Sequence, residues 1–318
     1  MSRVLVTGAN GFVGRALCRA LRDAGNTVTG LVRREGQRER DVDQWVDAST
    51  DFTGLDAGWP AALRADCVVH LAARVHVVLE HAADPDAAFR ATNVDGTLRV
   101  ARAAWRHGVR RFVFVSSIKA MTEADPGRPV REDDLPAPQD PYGRSKRAAE
   151  EALIRLGLET GLEIVIVRPP LVYGPDVRAN FLSLMDAIWK GIPLPLGAID
   201  ARRSLVYLDN LADALVHCAT DPRAAGQVFH VADSDPLTVT ELARSLGRHL
   251  QKPARLLPVP ANWLHFAGRV SGRTAQVDRL VGSLRLDTAR IHAVLDWQAP
   301  HSTDEGLAAT ARWYRSTH

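Results

Sequence analysis

Tyr142 and Lys146 stand four residues apart in "DPYGRSKRAAEEAL", directly after Pro141. A helix that begins at the proline turns both side chains to one face. A phenol, with an ordinary pKa of about 10, is a poor acid or base near neutrality, and an adjacent ammonium favours the phenolate. The same ammonium can donate to ribose hydroxyls and fix a bound nucleotide beside the phenol. Upstream, "RFVFVSSIK" closes an apolar run on Ser116 and Ser117. A hydroxyl at such a strand end can hold a reacting oxygen and stabilise developing charge. Taken alone, the helix pair is ordinary surface and a strand-terminal serine is a turn former, so the elements that position them decide.

Those elements begin at the N-terminus. "VTGANGFVGRAL" places Gly8, Gly11 and Gly14 between an apolar strand and an amphipathic helix that opens at Phe12 and Val13. There the backbone N–H groups and the helix dipole can hold a pyrophosphate, and the glycines let the main chain approach it. Short apolar runs then alternate with segments of helical period: "RVLVTG", "RALCRALRDAG", "TVTGLVR", "CVVHLAA", "TLRVARAAWRHG", "RFVFVSS", "RAAEEALIRLGLETG" and "EIVIVRP". This pattern predicts an α/β fold, a doubly wound parallel sheet with helices on both faces. Gly25, Gly108 and Gly161 are expected to close helices in the left-handed conformation. Beyond about residue 170 prolines multiply and the pattern loosens. We expect residues 1–170 to bind the dinucleotide and 171–318 to form a smaller α/β substrate-binding domain, with 205–232 able to rejoin the first sheet.

The bulk numbers fit. Among 318 residues, 46% are hydrophobic and 24% charged, the balance of an ordinary globular protein. The net charge of +3 lacks a basic block, so no nucleic-acid footprint is expected. No apolar run is long enough to span a membrane, and the first strand starts too early to leave room for a signal peptide. Cys18, Cys67 and Cys218 are unpaired by any metal-like spacing and suit a reducing compartment, so a cytoplasmic location is expected. His70, His76 and His81 do not form a metal pattern, and His70 falls inside a strand where a satisfied core role is expected. No Gly-x-Ser-x-Gly elbow occurs. Trp263, Trp297 and Trp313 are most simply core, and Arg38 and Arg40 read as a solvated loop.

The Gly-x-x-Gly-x-x-Gly spacing behind Thr7 resembles the short-chain dehydrogenase/reductase superfamily, whose extended branch acts largely on nucleotide sugars. "DCVVHLAA", "TNVDGT", "VSS", "YGRSK", "VRPPLVYGP" and "RRSLVYLDNLADAL" continue that resemblance, toward NAD-dependent epimerases and dehydratases, over nearly the whole chain. It implies a Rossmann-type sheet and makes Ser117 the catalytic partner of Tyr142 and Lys146. It also implies that Leu71, Ala72 and Ala73 run along the cofactor, that Asn93 lies near the active site, and that Pro169, Pro170 and Leu171 frame the nicotinamide. Arg203 corresponds to the arginine that holds a sugar-nucleotide diphosphate. Asn180 is a weaker substrate candidate and also a natural N-cap. A homodimer is a further family expectation.

Two departures narrow the expected reaction. Sugar 4,6-dehydratases carry Asp-Glu after the catalytic hydroxyl residue, where this chain has Ile118-Lys119. NAD-using relatives place an acid at the end of the second strand to bind the adenosine ribose, where this chain has Val32, then Arg33 and Arg34. Those arginines could pair with a 2′-phosphate. The reading is therefore an NADP(H)-dependent 4-ketoreductase acting on a UDP- or dTDP-linked deoxy or amino hexose for surface polysaccharide. An NAD-dependent UDP-sugar 4-epimerase is the alternative. A reductase of non-sugar carbonyls and a non-catalytic dinucleotide sensor stand behind it.

Overall fold

The computed structural model describes residues 1–34, 42–60, 63–75, 84–272 and 274–318. Arg38, Arg40, His76 and His81 lie outside the described residues. The strands in chain order are β1 (Arg3–Thr7), β2 (Thr27–Val32), β3 (Asp43–Val46), β4 (Cys67–His70), β5 (Arg111–Val115), β6 (Glu163–Arg168), β7 (Leu171–Tyr173), β8 (Arg202–Arg203), β9 (Leu205–Tyr207), β10 (Val228–His230) and β11 (Leu237–Thr238). Seven of them form one parallel sheet in the order β10-β6-β5-β4-β1-β2-β3, and two short two-stranded sheets, β7 with β9 and β8 with β11, follow in the second half.

Alternation along each strand explains why both faces are covered. Val4 and Val6 enter one core with Val113, Val115, Val165 and Val167, while Leu5 enters the other with Phe112, Phe114, Ile164 and Ile166. Successive side chains point to opposite faces, so a strand that is apolar throughout needs a helix layer on each side. Helix Leu208–Thr220 packs beside helix Phe12–Asp23 over the first face, and helices Thr97–Arg106 and Pro141–Thr160 cover the second. The expected glycine stops appear with positive φ: 78° at Gly25, 78° at Gly108 and 75° at Gly161. Cys18, Cys67 and Cys218 are free and buried.

The chain leaves β1 toward β2 and β3 on one side and returns as β4 on the other. Strand order therefore reverses between β1 and β4, and the crevice beyond their carboxyl ends is where such sheets bind ligands. The apolar runs had not revealed β3, because only its middle residues are even partly buried. Trp297 is buried, but Trp263 departs from its expected core role and is largely exposed. Helix Ala261–Val270 turns Leu264 inward, which leaves Trp263 on its outer side.

Candidate active site at the sheet switch point

Gly8 follows β1 with φ 69°, and its N–H donates to the Leu31 carbonyl at 2.9 Å. A Cβ there would approach the Ala72 nitrogen to 3.3 Å, so the bare turn lies directly against the chain leaving β4. A Cβ on Gly14 would overlap the Gly8 carbonyl oxygen, which is why the helix can start so close beneath the turn. Gly11 is the N-cap and supplies no side-chain acceptor, and no acidic residue stands in the first turn. The first-turn N–H groups, of Phe12, Val13 and Gly14, are thus available to an anionic group. This turn fits a dinucleotide pyrophosphate.

Thr7 ties the two strand ends together. Its Oγ1 accepts from the Leu71 and Ala72 N–H groups at 3.2 and 3.1 Å, so its own proton goes to His70 Nδ1 at 3.0 Å. The Thr97 hydroxyl donates to the Asn93 carbonyl at 2.8 Å, leaving its oxygen to accept from His70 Nε2 at 3.1 Å. Both ring nitrogens are therefore satisfied in a neutral tautomer. Burial, with the Lys146 charge behind it, pushes the His70 pKa down to about 3. His70 is a core histidine, as expected from its place in the strand.

At the end of β2 Val32 is buried, while Arg33 and Arg34, expected at the adenosine ribose, are exposed. The Asn10 amide of the glycine turn donates to the Arg34 carbonyl at 3.3 Å, placing the arginine pair beside the turn.

The chemical end lies beyond β5. Lys146 is buried, its ammonium donating to the Val115 carbonyl at 2.8 Å and standing 4.5 Å from the Phe114 ring centroid. Burial holds that ammonium down to about 7, opposed by the Glu150 carboxylate. Tyr142 lies on the same helix face and hydrogen-bonds Ser117; burial pushes the phenol up to about 12 against that bond. Ser116 is different. Its hydroxyl is buried with no partner, whereas Ser117 is partly open and touches the phenol. The geometry thus distinguishes two serines that the sequence could have exchanged.

The motifs pointed to Asn93 but not to the groups that position the trio. Asn93 lies in a π-helical turn, Ala91–Gly96, a deformation frequent at functional sites. It accepts from the Arg74 N–H at 2.8 Å and donates to the Arg74 carbonyl at 3.0 Å and to Ser145 Oγ at 2.9 Å. The loop after β4 is thereby clamped to the Tyr142 helix. Asp140 caps that helix through the Gly143 N–H at 2.7 Å and pairs with the Lys119 ammonium at 2.6 Å. A Cβ on Gly143 would overlap the Lys119 carbonyl, so this glycine lets the helix begin against the Ser117 loop. Arg168 and Glu150 form a buried two-bond pair at 3.0 and 2.7 Å, joining the end of β6 to the same helix. A mid-helix glutamate four residues after a lysine reads as surface from sequence, and only the fold shows its partner.

Pro169 is brought to the trio, its carbonyl accepting from Ile118 N–H at 3.0 Å. Pro170 is buried and Leu171 exposed beside it. Arg203 is partly buried on β8, bridged to Leu284, and Leu284 packs with Ile118 next to Ser117. Asn180 is exposed in the first turn of helix Ala179–Trp189. Its expected N-cap role is corrected: Arg178, in extended backbone, holds that position, because the helix already begins at Ala179. No group of three or more histidine, cysteine or acidic side chains is placed to hold a metal among the described residues.

Known proteins are similar to this chain in sequence and fold. A UDP-glucose 4-epimerase of Vibrio cholerae is 39% identical over 97% of this chain and 94% of its own length. An N-acetyl-alpha-D-glucosaminyl-diphospho-ditrans,octacis-undecaprenol 4-epimerase of Escherichia coli O157:H7 is 27% identical, covering 98% and 94%. Among solved structures, the UDP-N-acetylglucosamine 4-epimerase from Bacillus cereus shares the fold with a TM-score of 0.80 at 22% identity, covering 99% of this chain and 100% of that one. The Thermus thermophilus UDP-glucose 4-epimerase complex with NAD gives 0.79 at 24% identity, covering 99% and 100%. The model of the NAD dependent epimerase/dehydratase family matches residues 4–232, and this chain, with its glycine turn and Tyr-Lys helix, belongs to that family.

Proposed function

We propose that this enzyme inverts C4 of a UDP-linked hexose by oxidising that carbon and reducing it again from the other face. The observation that carries the reading is the Tyr142 phenol held against Ser117 on the helix face of Lys146. A bound nicotinamide supplies the hydride acceptor and donor. Tyr142, as the phenolate, takes the C4 hydroxyl proton as hydride leaves that carbon, then returns it when the sugar ketone, turned over, receives hydride on its other face. Ser117 holds the reacting oxygen, Lys146 steadies the phenolate and the ribose, and Arg203 binds the diphosphate through bidentate bonds. Lys119, tied to Asp140 and Glu123, cannot serve as the acid pair of a dehydratase. The 39% identical relative supports the epimerase over the 4-ketoreductase expected from sequence.

One observation favours the second reading, an NADPH-dependent 4-ketoreductase. Val32 offers no carboxylate to an adenosine ribose, and Arg33 and Arg34 beside the turn suit a 2′-phosphate. Proton NMR of UDP-glucose and UDP-N-acetylglucosamine, with purified protein and no added reductant, separates them. Conversion to the galacto forms is expected; no conversion, with NADPH loss on a UDP-4-keto-6-deoxy sugar, would establish the reductase instead. The three buried thiols suit action in the cytoplasm. Trp105, Ile154 and Leu158 are exposed on the neighbouring helices Thr97–Arg106 and Pro141–Thr160, the face we assign to a homodimer.

A further inference from the structure

Helix Ala261–Val270 presents an outward stripe that neither catalysis nor the core uses. Trp263, Phe266 and Val270 are 66%, 63% and 75% exposed, and their spacing places them within one narrow arc of the helix. The opposite side is anchored: Leu264 packs with Leu196, Ile199, Ala201 and Val239, and a Cβ on Gly268 would press on Val277. The stripe is therefore held facing solvent. Leu257, just upstream, is also about half exposed, at 49%.

The chain around the stripe is rich in cations. Residues 242–277 contain six lysines and arginines and no aspartate or glutamate, in a chain whose whole net charge is +3. Arg269 is exposed on the helix, and Lys252 and Arg255 are exposed in the chain leading into it, Lys252 with its ammonium 5.3 Å from the Trp189 ring centroid. Among the described residues, carboxylates outside the segment meet it at Arg244 (Glu241), at Arg248 and His249 (Asp304), and at His265 (Asp278). A helix with Trp and Phe on its outer face and cations beside them has the make-up of an interfacial membrane anchor. A second copy would set Lys252, Arg255 and Arg269 against their own counterparts. Nucleic acid would leave Val270 and Leu257 without a partner, since aliphatic side chains do not stack on bases.

We propose that this segment docks the protein reversibly on an anionic membrane surface, with Trp263, Phe266 and Val270 at headgroup depth and Lys252, Arg255 and Arg269 on the phosphates. Contact is peripheral, since no helix among the described residues is long and apolar enough to cross a membrane. Leu264 joins the helix to the core that holds Ala201, the residue before β8.

Flotation of the full-length protein with phosphatidylcholine vesicles, alone or with phosphatidylglycerol, tests this. Wild type is expected to float with the anionic vesicles at low salt, to be released at high salt, and to ignore pure phosphatidylcholine. Trp263→Ser with Phe266→Ser should weaken partitioning by roughly tenfold, and Arg255→Glu with Arg269→Glu by a similar factor, with melting temperature and turnover of soluble UDP-sugar unchanged. Failure to float overturns the proposal, as does flotation unchanged in both variants. A wild-type sedimentation mass that falls when Trp263 and Phe266 become serine also overturns it, assigning the stripe to a second copy.

Discussion

At the chemical end of the switch point Ser117, Tyr142 and Lys146 are surrounded by groups that fix them, whereas at the adenosine end Arg33 and Arg34 are exposed and meet the glycine turn through the Asn10 amide. The Tyr142 helix is capped by Asp140, clamped through Ser145 and Asn93, and pinned by Glu150 to Arg168. Solvent screens what the arginines can do, and their side chains must be ordered before they bind. The difference implies that the reaction tolerates little change, while nucleotide preference can shift through one or two surface residues.

The largest effect should come from the buried end. Tyr142→Phe keeps the ring against Phe89 but removes the proton carrier, so kcat should fall by about 10²–10⁴-fold with substrate affinity nearly kept. Steady-state kinetics with a binding titration would check it, and a loss in affinity alone would contradict that role.

Lys146→Met isolates the cost of burying a charge. The folded pKa of about 7 lies below the ordinary 10.5, so between those values the unfolded chain binds more protons and wild-type stability rises with pH. Below pH 7 both states are protonated and the penalty is complete. The methionine variant should lack this rise and be unchanged or about 1–2 kcal/mol more stable at neutral pH, while losing activity. Urea melts at several pH values would read it, and identical slopes for the two proteins would remove Lys146 as the cause.

The smallest effect belongs to the exposed end. Arg33→Asp should weaken NADP binding by roughly tenfold and leave NAD binding unchanged or tighter, with the NADP loss shrinking at high salt. Equal effects on both nucleotides would remove the arginine from the 2′-phosphate and dissolve the contrast between the ends.

What the sequence showed depended on distance along the chain. Gly8, Gly11 and Gly14 share one turn and Tyr142 and Lys146 share one helical turn, so their juxtaposition could be read from spacing. The groups that position them pair across the fold: Asn93 with Ser145 over 52 residues, Lys119 with Asp140 over 21 and Arg168 with Glu150 over 18. A lone polar residue in an apolar pattern gives no sign of its partner. Ser116 and Ser117 were adjacent and equivalent in sequence, and only burial separated the closed hydroxyl from the open one. Trp263 was misplaced because an aromatic at helical spacing ordinarily faces a core, and here the inner arc was already taken by Leu264.

The path of the hydrogen at C4 tests the proposed chemistry most directly. UDP-glucose deuterated at C4, incubated with the enzyme in ordinary water and examined by NMR and mass spectrometry, should give UDP-galactose with the deuterium still on C4, because hydride leaves and returns to the same carbon. Replacement of that deuterium by solvent hydrogen would contradict hydride return and remove the role given to Tyr142 and Ser117.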